Sequence, residues 1–89
     1  MNDRITRMQA LLTAALAPSE LQIIDESEQH RGHAGAASGA GHYQINITAA
    51  AFIGKPLLER HRLVYDALQS MLPQEIHALR IKAQIPKSD

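Results

Sequence analysis

The chain has 89 residues, 45% of them hydrophobic and 20% charged, which predicts one compact domain over residues 1–89 and no second. Nine Lys and Arg balance nine Asp and Glu, so the basic excess of a chain held on nucleic acid or anionic lipid mainly by charge is missing. The absence of cysteine excludes disulfides, thiolate nucleophiles and all-cysteine metal sites, and any metal chemistry must run through imidazole or carboxylate.

From the N-terminus, Arg4 and Arg7 precede the apolar run Met8–Ala17, which mimics a short secretory signal. Gln9 and Thr13 interrupt that run, while Ile5, Met8, Leu11, Leu12, Ala15 and Leu16 fall at helical spacing. The spacing therefore predicts a helix over residues 3–16, capped by Asn2 or Asp3 and stopped near Pro18. A short strand is expected from Leu21 to Ser27. Residues 28–41 then hold four of the five glycines and no large apolar side chain, as a flexible loop should. Tyr43, Ile45 and Ile47 alternate with His42, Gln44, Asn46 and Thr48, which predicts a half-buried strand.

Phe52, Gly54 and Pro56 mark a turn, and Leu57, Leu58, His61, Val64, Tyr65, Leu68, Met71 and Leu72 then recur at three- and four-residue steps. That stripe predicts a helix as far as Leu72. After Pro73, Leu79, Ile81, Ala83 and Ile85 alternate with polar residues as a last strand ended by Pro86, and residues 87–89 read as a frayed tail. The order helix, strand, strand, helix, strand implies an α+β domain with a three-stranded mixed sheet and both helices on one face. No stretch reaches the roughly 18 apolar residues of a membrane span, so no membrane role is expected and a cytoplasmic location is.

Five histidines, against only Phe52, Tyr43 and Tyr65 as aromatics, are the conspicuous polar chemistry. Asp25-Glu26-Ser27 followed by residues 30–35, Gly41-His42-Tyr43, Phe52 with Gly54, Arg60-His61-Arg62 and His77-Ala78-Leu79 come in an order and spacing that resembles the BolA family, over residues 11–86. The resemblance implies a class II KH-like domain. It also implies a monothiol glutaredoxin as partner, with a [2Fe–2S] cluster shared between them, and glutathione brought by the complex. In that case His77 is one ligand and His30 or His33, in the loop between the first two strands, is the other. Some family members are described as DNA-binding regulators of morphology and stress response.

The chemistry of the residues agrees with this half-site. Two neutral imidazoles can replace two thiolates on one iron of a [2Fe–2S] cluster, as in Rieske centres. A chain without cysteine can supply only that half, so the isolated protein is expected to hold no cluster. His77 is expected at the mouth of the last strand with the parity of Leu79 and Ile81, and His61 as a satisfied core histidine on the helix stripe. His42 is expected to be structural or exposed.

A nucleic-acid patch, if there is one, would draw on Lys55, Arg60, Arg62, Arg80 and Lys82. Phe52-Ile53-Gly54-Lys55 carries only one glycine of the Gly-x-x-Gly clamp of KH domains, so any contact with DNA is expected to be weak. No Ser–His–Asp pattern or phosphate-cradling glycine motif is present, and no enzymatic activity is expected.

Overall fold

A computed structural model describes residues 3–26 and 41–87. The loop expected at 28–41 therefore lies outside the described residues apart from Gly41, as do His30, His33, the candidate cap Asn2 and the tail beyond Lys87. Helix α1 spans Asp3–Leu16 and buries Met8, Leu12 and Leu16, one residue per turn of a single face. Those side chains belong to the domain core, which accounts for the apolar run that imitates a signal. The helix ends as read from the sequence. Ala17 takes a left-handed φ of 45° and donates its N–H to the Thr13 carbonyl, 3.0 Å away, before Pro18.

Strands β1 (Glu20–Asp25), β2 (Gly41–Thr48) and β3 (Ile76–Gln84) form one sheet in the order β1-β2-β3. β1 runs antiparallel to β2 and β3 parallel to it, the mixed sheet expected from the element order. On one face of β2, Tyr43, Ile45 and Ile47 stand opposite Leu79, Ile81 and Ala83 of β3, and Ile45 and Ile47 opposite Ile23 and Leu21 of β1. Met8, Leu12 and Leu16 of α1 join Val64, Leu68 and Met71 over that face to complete the core. The other face carries Gln22, Gln44, Asn46, Arg80, Lys82 and Gln84. Across it Gln44 donates to Asn46 at 2.9 Å and Asn46 to Gln22 at 3.0 Å.

The second helical segment departs from its expected form. Ala50–Phe52 is a 3-10 turn, α2 spans Leu57–Ala67, and Gln69–Met71 forms a further 3-10 turn, so the helix does not run unbroken to Leu72. Of the predicted stripe, Val64, Leu68 and Met71 are buried, whereas Leu57 and Leu58 in the first turn of α2 are 61% and 71% exposed. Gly54, between the two helical pieces, has a φ of 80°, where a side chain would be strained. The last strand begins earlier than its alternation indicates, at Ile76, because Ile76 is buried and pairs with Gly41.

Candidate metal centre at the histidine end of the sheet

Gly41, His42, Ile76 and His77 meet where β2 and β3 begin. The two strands are out of step here by one residue, since Gly41 pairs with Ile76 but His42 pairs with Ala78. His77 is the extra residue of a bulge. A bulge breaks the two-residue alternation, so His77 does not share the core face with Leu79 and Ile81 as its parity requires. Its side chain is exposed, and its ring centre lies 5.0 Å from that of His42 with the planes tilted by 56°.

His42 takes the structural of its two expected roles. It occupies the face of β2 opposite the core and retains only 9% of its accessible surface. Its carbonyl accepts a hydrogen bond from the Glu26 N–H at 2.7 Å. The Glu26 side chain is itself buried, and its carboxylate accepts from Arg80 Nη1 at 3.2 and 3.5 Å, which compensates the buried charge.

Two further features set this end. An ideal Cβ on Gly41 would lie 2.5–2.7 Å from the ring atoms and hydroxyl of Tyr43, so only glycine lets that buried ring lie against the strand. The Gly41 N–H donates to the Glu75 carbonyl at 3.0 Å, and Glu75 is gripped by Arg7 of α1 through both carboxylate oxygens. Hydrogen bonding to Arg7, reinforced by the charges of Arg7 and Arg4, holds the Glu75 carboxyl below its ordinary pKa. Helix α1 is thereby tied to the residue that precedes β3.

Both ends of the segment 27–40, Glu26 and Gly41, stand at this same end of the sheet. His30 is four residues from Glu26, a contour length of about 14 Å at most, and His33 is eight residues from Gly41. The donor set suits a half-site for iron: His77 is an exposed imidazole, His42 a second imidazole beside it, and the nearby carboxylate of Glu26 is engaged by Arg80. Among the described residues no group of three or more His, Asp or Glu could hold an ion unaided.

The remaining candidates are dispersed. His61 is half-buried at the margin of the α2 stripe, not in the core, because the buried residues of that helix lie nearer its C-terminus. Arg60 donates from Nε to the Lys55 carbonyl at 2.8 Å and from Nη1 to the Ala83 carbonyl at 3.1 Å. Arg80 and Lys82 share the open face of the sheet, whereas Arg60 and Arg62 belong to the helix packed on the opposite face. The five cations therefore do not form one surface. His42 was the functional candidate that sequence reasoning undervalued. Its placement between Gly41 and Tyr43 was visible, but the bulge that brings His77 to it was not.

A family model described as BolA-like protein matches residues 12–88. SufE-like protein 1, chloroplastic/mitochondrial, of Arabidopsis thaliana is 42% identical over 97% of this chain, which spans 24% of that protein. Protein BOLA1, chloroplastic, from the same organism is 39% identical over 97% of the chain, which spans 56% of it. The DNA-binding transcriptional regulator BolA of Escherichia coli (strain K12) is 35% identical over 84% of the chain and 69% of its own length. The solved BolA domain of SufE1 from Arabidopsis thaliana superposes with a TM-score of 0.84, covering 97% of this chain and 95% of that domain, and BolA1 from the same plant with a TM-score of 0.81, covering the same shares.

Proposed function

Since the chain belongs to the BolA-like protein family, we propose that it is a non-enzymatic partner of a monothiol glutaredoxin and supplies histidine ligands to a [2Fe–2S] cluster shared with that protein and its glutathione. The observation that carries this reading is the position of His77. The bulge lifts an exposed imidazole off the core face, at the end of the sheet to which the segment holding His30 and His33 is attached. His77 and one of those two histidines would occupy one iron, and the partner's thiolates the other. Lacking cysteine, the chain contributes half a site, and a half-site fits cluster trafficking or sensing between two proteins better than storage in one.

Only the neutral imidazole offers a free nitrogen lone pair, so an imidazolium must lose its proton before it binds and assembly should weaken in mild acid. The test is co-expression with a monothiol glutaredoxin in the presence of glutathione, followed by visible absorption and iron assay of the purified heterodimer. A coloured complex is expected, and His77→Ala should change its spectrum or abolish it. A complex that forms with an unaltered spectrum from the His77→Ala chain, or a cluster held stably by the isolated chain in thiol-free buffer, would overturn the assignment.

The name of the Escherichia coli relative favours a second reading, a DNA-binding regulator. Lys55, Arg62 and Lys82 are exposed cations that could meet phosphates. Lys82 lies on the open face of the sheet and Arg62 on the helix packed against the other face, so at most two of them can meet one backbone, the log–log salt slope should be only about −2, and binding should fade near physiological salt and be alike on all sequences. Tight, sequence-selective binding of labelled duplexes at physiological salt would make regulation the primary role.

A further inference from the structure

When two imidazoles bind one transition-metal ion, each donor nitrogen sits about 2.0–2.1 Å from it and each ring centre about 1.1 Å further back. An angle at the metal between about 95° and 110° then sets the ring centres roughly 5 Å apart. The His42 and His77 ring centres are 5.0 Å apart. The backbone supports that spacing, because β2 and β3 are hydrogen-bonded neighbours, His42 pairs with Ala78, and the extra residue on β3 brings His77 alongside. His42 is the buried, fixed member and His77 the exposed one, so the pair has an anchored inner donor and an open side for an ion to enter. The nearest positive side chain on this face, Arg80, is engaged by the Glu26 carboxylate.

We propose that His42 and His77 form a preorganised two-imidazole donor pair for a divalent transition-metal ion of the zinc, nickel or copper class, whose remaining positions are filled by water. Imidazole selects these ions over magnesium and calcium, which prefer oxygen ligands. The pair shares His77 with the cluster half-site proposed above but needs neither glutaredoxin nor sulfide, so the isolated chain and a single ion suffice to test it. It also makes His42 a rival to His30 and His33 for the place beside His77.

The experiment is a titration of the isolated chain, labelled with 15N at its histidine rings, with Zn2+ at neutral pH, with Mg2+ as the control. The ring signals of His42 and His77 should move together and saturate at one Zn2+ per chain, and Mg2+ should leave them in place. His77→Ala and His42→Gln should each weaken the affinity about tenfold or more, whereas His30→Ala combined with His33→Ala should not change it. If His77 moves together with His30 or His33 while His42 stays still, the pairing is wrong. If no signal saturates, the two rings are merely packed against each other, as tilted rings at this distance often are. The unsubstituted chain decides both outcomes, so misfolding of a variant cannot mask them. Failure of Zn2+ binding would leave the cluster reading standing, since that is scored on the glutaredoxin complex.

Discussion

The guanidinium of Arg60 is bound to the backbone of two other segments at once, through Nη1 to the Ala83 carbonyl at 3.1 Å and through Nε to the Lys55 carbonyl at 2.8 Å. It ties the start of α2 both to the turn before it and to the end of β3. Ala83 lies one residue before the last residue of a strand at the edge of the sheet, so Arg60 also satisfies a carbonyl of that edge.

Removing such a clamp should cost stability. Arg60→Ala is expected to lose about 1–2 kcal/mol in urea unfolding, because two hydrogen bonds to a charged donor disappear at a half-buried site. Arg60→Lys should restore little, since one ammonium lacks the planar fork that spans two carbonyls. Lys82→Ala, on the exposed face, should stay within about 0.5 kcal/mol. An Arg60→Ala chain of unchanged stability that has lost duplex binding would instead assign Arg60 to phosphate contact.

Gly41 is constrained by Tyr43. Gly41→Ala should cost about 1–3 kcal/mol, because the new methyl would enter the space of a ring that is 2% exposed. The Tyr43→Leu background, which removes that ring, should reduce the penalty. A double-mutant cycle that shows no coupling between the two positions would refute the steric account.

The margin position of His61 sets its energetic weight. His61→Ala should lose about 1 kcal/mol, while Leu68→Ala, which empties a fully buried site one turn or more along the same segment, should lose about 2–5 kcal/mol. Equal losses from the two would mean that His61 packs more deeply than its half-burial indicates.

The Arg7–Glu75 pair gives the acid limb a definite sign. A carboxyl whose pKa is lowered on folding adds stability that is fully present above its ordinary pKa and is lost as the pH falls through the lower, folded value. Unfolding midpoints measured from about pH 7 to about pH 3 should therefore converge for the natural chain and Glu75→Gln, the natural chain losing its advantage in acid. Curves that remain parallel through this range would show that the pair contributes nothing to folding.

Much of the architecture follows from periodicity alone. Tyr43, Ile45 and Ile47 at every second position, and Met8, Leu12 and Leu16 at every fourth, can each be buried together in only one kind of element, so β2 and α1 were legible from the order of residues. The helix-strand-strand-helix-strand order and the mixed sheet followed from them. Composition likewise restricts the chemistry: a chain with five histidines and no cysteine can offer a metal imidazole or carboxylate but no thiolate.

The site itself depended on relationships that local sequence does not encode. Periodicity places His77 with Leu79 and Ile81, and only pairing with β2 reveals the one-residue slip that turns His77 out beside His42, because a bulge is a property of two strands together. His42 reads as a polar residue on an outer face, and its burial comes from what stands around it in three dimensions. Arg60 reads as a free cation next to Arg62 until β3 is packed within reach of its guanidinium. Leu57 and Leu58 fit the helical stripe but remain exposed, since the core is met only by the later part of the segment, at Val64, Leu68 and Met71. Spacing within one segment fixes which residues can share a face, whereas partner, register and exposure are set by contacts between segments far apart in the chain, and those arise only when the whole sheet and its helices close on one core.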